Sequence, residues 1–273
     1  MAIASCAAPG RNAARLAPVE ALAVPSLPPW IASISPTGNA DNLAQIRVIF
    51  AKPLIAVQAL SGPGAGEALR HLSIAPQLRG HFTALTPRMI GFVADQALPV
   101  GTRVRITLTA GLHDLNGDRL DRDLAWTFET EPLKFTNLPQ LQGSEDEATP
   151  APSSLAPKLQ VTANAAVDSA SLSAHTSLTG GNDRVGVSAT LEAQPTPYPG
   201  TGAEALFNPA LDTWVYDLRP TRVLHRGTTY ALRIDPGVAP LYGNRASSDA
   251  FNGAIRTYAA LAILPTPRPS PNS

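Results

Sequence analysis

The chain has 273 residues, with 21 Lys and Arg balanced by 21 Asp and Glu, so bulk charge selects no nucleic-acid partner, which usually calls for a basic excess. A 44% hydrophobic content supports a real core, and 15% charged residues exclude a solvating polar tail. The 20 Gly and 27 Pro stay below a low-complexity composition, and the length fits one or two domains.

The first feature in chain order is Ile3-Ala4-Ser5-Cys6, a branched apolar residue and two small residues before the single cysteine. A lone Cys forms no intrachain disulfide. The four residues have the pattern of a bacterial lipobox, in which the Cys carries a lipid anchor in a bacterial membrane. No basic stretch or apolar run of a secretory signal precedes them. Residues 7–26 are rich in Ala, Pro and Arg without periodicity, so residues 1–27 read as a lipobox-like start and a flexible tether. No apolar run approaches the ~18 residues of a spanning helix.

From Ile31 onward the sequence predicts short strands between Pro and Gly. Ile46, Val48 and Phe50 alternate with polar or edge residues, as do Ile90 and Phe92. Residues 103–109 give the clearest strand, with Val104, Ile106 and Leu108 inward and Arg103, Arg105, Thr107 and Thr109 outward. Trp126 and Phe128 share one face of the next. Helical periodicity is limited to a turn or two near residues 66–72. Closely spaced strands with polar outer faces predict an all-β fold of antiparallel sandwiches.

A shift of 126 residues lays residues 90–120 on residues 216–246 without a gap. Ile90 and Phe92 fall on Tyr216 and Leu218, and Gly101-Thr102 falls on Gly227-Thr228. Val104, Ile106 and Leu108 fall on Tyr230, Leu232 and Ile234, Gly111 on Gly237, and Gly117-Asp118 on Gly243-Asn244. With another offset, Ile46 and Val48 match Leu159 and Val161. The pattern is a duplicated domain rather than a solenoid. Gly101, Gly111, Gly117, Gly227, Gly237 and Gly243 are read as structural turn positions that hold strand register. Domain one is placed at residues 28–131 and domain two at 132–262, beginning on a strand Leu133-Lys134-Phe135. Residues 142–157 and 194–202 read as long loops, and residues 263–273, with four prolines, as an exposed tail.

No catalytic constellation stands out. His71, His81, His113, His175 and His225 lack metal-ligand spacing and read as polar loop residues. Asp114-Leu115-Asn116-Gly117-Asp118 starts like a calcium loop but lacks the later bidentate Glu, so it reads as a turn. No Gly-x-Ser-x-Gly elbow occurs. Arg103 and Arg105 read as a solvated face. Trp126, Trp214 and Phe128 read as core and Trp30 as a packing anchor, which leaves few aromatics for sugar binding. Catalytic residues, cofactors and metals are therefore expected to be none.

These elements resemble a family. Phe50-Ala51-Lys52-Pro53, Gly101-Thr102, Asp114 with Gly117, and Trp126-Thr127-Phe128-Glu129-Thr130 resemble the bacterial Ig-like domain of the S-layer (SbsA) type. Val167-Asp168, Gly227-Thr228-Thr229-Tyr230, Gly243-Asn244 and Arg256-Thr257-Tyr258 repeat it in domain two. The tandem is similar to the N-terminal region of bacterial alpha-2-macroglobulin-like lipoproteins, where a lipobox and tether precede two such domains. The Cys-Gly-Glu-Gln thioester of those protease traps is absent. The resemblance implies a non-catalytic, lipid-anchored protein of the bacterial cell envelope, periplasmic or surface-exposed. It would act as a spacer or interaction module with an envelope protein partner. The alternatives are an N-terminal fragment or relative of a macroglobulin-like protease inhibitor, and a surface adhesin or glycan-binding module.

Overall fold

The computed structural model describes residues 16–41, 44–60, 63–141, 152–194 and 213–259. Cys6, most of the two expected loops and the Pro-rich end lie outside the described residues.

Two sandwiches, each with its own core, follow one another. In the first, β1 (Ile31–Ser35), β3 (Ile46–Phe50), β6 (Met89–Ala94) and β5 (Gly80–Thr86) form one four-stranded sheet in the order β1-β3-β6-β5. The facing sheet has the order β2-β8-β7-β4, from Gly38–Asn39, Leu124–Glu129, Arg103–Leu108 and Leu72–Ala75. The period-two pattern decides which side chains meet between the sheets. Val48, Phe50 and Ile90 project from one, and Val104, Ile106, Leu108, Trp126 and Phe128 from the other, all buried. Trp126 also spends its indole N–H on Pro36 O at 3.0 Å. Trp30 stacks on Phe50 at 5.7 Å between ring centroids. The helical turn expected near residues 66–72 sits slightly earlier, as α1 (Pro63–Leu69). One pairing departs from the antiparallel expectation, because β2 joins β8 in parallel.

The second sandwich uses β9 (Phe135–Thr136), β10 (Leu159–Ala163), α2 (Ser169–His175), β11 (Thr176–Gly180), β12 (Asp183–Ala193), β13 (Trp214–Pro220), β14 (Thr229–Ile234) and β15 (Phe251–Arg256). Its strand order is β15-β14-β11-β12-β13-β10-β9. The first part of β12 pairs with β11 and the rest with β13, so this one long strand passes from one layer to the other. Apart from that link, β10, β13 and β12 occupy the places of β3, β6 and β5, and β15, β14 and β11 those of β8, β7 and β4. The duplication read from turn glycines and core faces is thus a duplication of topology. The short α2 forms because Asp168 caps it, accepting Ala170 N–H at 3.1 Å, while Leu172 is buried in the core. Trp214, expected in the core, is only partly buried at its edge.

Tyr216 shows how this core is pinned. Its buried hydroxyl accepts Val167 N–H at 2.8 Å and donates to Val167 O at 3.2 Å. Burial pushes its pKa up from 10.0 to about 12. Tyr216→Phe is expected to strand both Val167 groups and cost about 1–3 kcal/mol, read as a lower urea midpoint for the second sandwich. The wild-type sandwich should also weaken in alkali. The unfolded phenol ionises near 10.0 and the folded one at about 12. The linked stability is therefore intact below the first value and is lost as pH rises through the second.

Candidate functional site

Residues from distant parts of the chain come together where the two sandwiches meet. In domain one, residues 99–103 form the corner that feeds β7. Gly101 N–H donates to Glu131 O at 2.8 Å, and Thr102 N–H to Thr130 Oγ1 at 2.9 Å. The Thr130 hydroxyl donates in turn to Pro99 O at 2.6 Å. The corner is thus held from within and leaves the Gly101 carbonyl pointing away.

The turn at residues 240–245 of domain two lies on this corner. Gly101 O accepts the backbone N–H groups of Asn244 at 3.1 Å and Arg245 at 2.8 Å. The Asn244 side chain engages Arg103 as a neighbouring strand would. Its Oδ1 accepts Arg103 N–H at 2.8 Å, and its Nδ2 donates to Arg103 O at 2.9 Å. A Cβ added at Gly243 would fall 2.5 Å from both the Gly101 and the Val100 carbonyl oxygens. Gly243 is not among the glycines with positive φ. It therefore serves close approach between domains, whereas Gly101, Gly111, Gly117, Gly227 and Gly237 have φ of +66°, +94°, +92°, +60° and +110° and serve turns.

Charge completes the junction. The Glu129 carboxylate is held by Arg103 at 2.7 Å through one oxygen and by Arg245 through the other. Burial, then the like charge of Arg103, lowers the pKa of Arg245. Arg103 reaches its oxygen with two guanidinium nitrogens, Nε at 2.8 Å and Nη2 at 2.7 Å, and Arg245 reaches the other with Nη1.

The N-terminal segment adds a third layer. Asn244 Nδ2 donates to Ala17 O at 3.0 Å, Arg103 to Val19 O at 3.2 Å, and Val19 is buried. Further along, the Thr127 hydroxyl accepts Leu22 N–H at 2.9 Å and donates to Leu22 O at 3.1 Å. Leu16 and Leu27 pack against the first core. The described part of the expected tether therefore lies on domain one. It also explains why Arg103 and Arg105 are not a solvated face. The outer side of β7 and β8 is roofed by the chain's own start, with Arg103 half-buried under it and Arg105 half-buried opposite Thr127 in the strand register. Among these residues the sequence flagged Gly101, Gly243 and Asn244 as turns. It missed Glu129 and Arg245 as partners, although Arg245 aligns with Arg119 in the repeat.

The other polar groups are engaged structurally. Asp114 is buried, and its carboxylate accepts Asn116 N–H at 2.8 Å and Asp118 N–H at 2.9 Å. Burial raises its pKa, but these hydrogen bonds prevail and hold it below the ordinary range. Asp118 pairs with Lys52 at 3.1 Å. His175 lies in α2 and His81 in β5 rather than in loops. His175 Nδ1 faces Ser171 O at 2.8 Å, and Gly237 backs against the same ring. His225 lies 3.5 Å from Asp183, which also holds Arg222 and accepts the Tyr230 hydroxyl at 3.2 Å. Lys158 joins Asp217 at 2.8 Å and Glu192 at 3.0 Å. Among the described residues, no three His, Cys, Asp or Glu side chains gather as a metal site, and no helix is long and apolar enough to cross a membrane.

Comparison with known proteins agrees with this architecture. Residues 26–130 match the bacterial Ig-like domain family. The chain is 41% identical over 267 residues to a protein named alpha-2-macroglobulin homolog from Nostoc sp., covering 96% of this chain. It spans only 14% of that relative's length. Among solved structures, an L,D-transpeptidase from Mycobacterium tuberculosis H37Rv aligns at 19% identity over 37% of this chain and 39% of that one, with a TM-score of 0.26. An L,D-transpeptidase from Mycobacterium smegmatis aligns at 12% identity over 71% of this chain and 77% of that one, also at 0.26. Scores that low establish no shared fold.

Proposed function

We propose that this chain, with its bacterial Ig-like first domain and its likeness to an alpha-2-macroglobulin homolog, is a non-catalytic, macroglobulin-related segment of a bacterial cell-envelope protein. It acts as a rigid spacer and protein-interaction module. The observation that carries this reading is the junction. Backbone groups, an Asn clamp and a shared carboxylate hold the two sandwiches together, and the N-terminal segment lies across them. Two domains joined only by a linker move independently by default, and a spacer requires the opposite.

The reading is tested by spin labels at Val57→Cys and Val223→Cys in a Cys6→Ser background, since both valines are exposed, at 66% and 62%. A single narrow distance distribution is expected. A broad distribution would overturn the spacer role.

In this reading Cys6 carries a lipid that places the protein in the envelope. Produced from its whole gene in a bacterial host, the protein is expected to incorporate labelled palmitate, and Cys6→Ala to abolish the incorporation. Label that persists in the Ala variant rules out an anchor at this residue.

A further inference from the structure

The outer face of the sheet β1-β3-β6-β5 is apolar and exposed. With Val48 and Phe50 turned into the core, Arg47 and Ile49 of β3 project outward, in register with Gly91 and Met89 of β6. Val93 is the next outward residue of β6. Leu85, at a bulge in β5, lies across Gly91, since a Cβ added there would meet its Cδ1 at 2.6 Å. Leu85 and Val93 are 46% and 43% exposed, and Ile49 and Met89 are half-buried beside them.

The fold does not require such a face. In the second sandwich the shift of 126 residues puts Asp217 in the place of Gly91 and Arg219 in that of Val93. Asp217 holds Lys158 at 2.8 Å and accepts Gln160 Nε2 at 3.2 Å, and Lys158 also reaches Glu192 at 3.0 Å. That face is polar and satisfied within its own domain. The other outer face of the first sandwich, on β7 and β8, is covered by residues 17–22.

Two charges flank the apolar residues. Arg47 and Asp95 are both exposed and line one groove of about 330 Å³ with Leu85, Gly91 and Val93. Neither side chain has an ion pair or hydrogen bond among the described residues. Asp95 stands four residues beyond Gly91, which is opposite Arg47, so about 13 Å separates the two along the sheet. They are too far apart to pair within one chain. A two-fold axis passing midway, beside Val93, brings each against the other's copy and closes two ion pairs at once.

We infer that this face is an interaction surface for a second copy of this chain, packed sheet against sheet in a closed two-fold pair. Leu85 and Val93 of each copy would lie between the sheets, and Arg47 of each would meet Asp95 of the other. Strands of 5 to 7 residues, four abreast, give a face of roughly 400 Å² per copy. That is about half of what a standard interface buries on each side. The pair is therefore weak, with a dissociation constant on the order of 0.1–1 mM. It involves neither the junction nor Cys6, so it stands or falls apart from the spacer reading.

The test is sedimentation equilibrium of the full 273-residue chain from about 10 µM to about 1 mM, under reducing conditions that keep Cys6 from cross-linking copies. The average mass is expected to climb from monomer toward dimer and no further. Arg47→Asp sets carboxylate against carboxylate and should weaken association about tenfold, and Asp95→Arg should do the same. Arg47→Asp combined with Asp95→Arg should recover it to within about threefold, because both pairs re-form with their signs exchanged. Both positions are exposed, so the far-ultraviolet spectrum of each variant should match the wild type. A chain that stays monomeric at about 1 mM overturns the interface, and mass growth past the dimer overturns the closed pair. Association that is unchanged in Arg47→Asp, or that the double variant fails to recover, overturns the assigned face.

Discussion

Trp126→Ala is expected to melt the first sandwich well below the second. The indole is fully buried between the two sheets of domain one. Truncating a buried Trp to Ala costs about 3–5 kcal/mol from lost transfer energy and the residual cavity. The lost bond from Nε1 to Pro36 O adds to it by leaving an acceptor unpaired. For a domain of this size, the loss lowers the midpoint by roughly 15–30 °C. The two cores hold separate sets of buried residues, so the transition of domain two should stay within a few degrees. Calorimetry resolves the two transitions. If both fall together by the same amount, the junction makes the two sandwiches unfold as one unit and the expectation fails.

Gly243→Val is expected to part the domains without unfolding either. The new Cβ would stand 2.5 Å from two carbonyl oxygens of the opposite domain. These are backbone atoms of a corner fixed by the Gly101 and Thr102 N–H bonds to Glu131 and Thr130, so they cannot swing aside as a side chain would. The turn must lift instead. It takes with it the two N–H bonds to Gly101, the Asn244 clamp on Arg103 and the Arg245 contact with Glu129. At about 0.5–1.5 kcal/mol for each hydrogen bond, the coupling between domains should largely disappear. The distance distribution between labels at Val57 and Val223 should broaden, while the far-ultraviolet spectrum stays that of folded β-sheet. Gly66→Ala serves as the control. That glycine is in α1 with nothing within 4 Å of an added Cβ, so the change should leave the distribution narrow. An unchanged distribution in Gly243→Val would show that the turn does not hold the junction.

The parts of the fold that were legible in the sequence are those set by local periodicity and turn chemistry. Val104, Ile106 and Leu108 alternate because one face of β7 is buried, and their counterparts Tyr230, Leu232 and Ile234 do so for the same reason. The junction was not legible. Its contacts join residues 141 apart, as in Asn244 to Arg103, and a single sequence carries no signal for such a pairing. Arg103 and Arg105 illustrate the difficulty. A polar outer face implies water unless another segment covers it, and here the covering segment, residues 17–22, has a composition that reads as a linker. Gly243 was found for the wrong reason. A glycine that permits a close approach and one that permits a positive φ look identical in sequence, and only the carbonyls opposite it tell them apart.

The N-terminal segment across the junction has a mechanical consequence. Tension applied through residue 16 would first load the isolated bonds at Ala17, Val19 and Leu22, before reaching the ladder that joins β1 to β3. These bonds can give way in turn while both sandwiches stay folded, releasing up to about 50 Å of contour between residue 17 and β1. The same stretch that stiffens the pair at rest would then act under load as a fuse that re-forms when the pull ends.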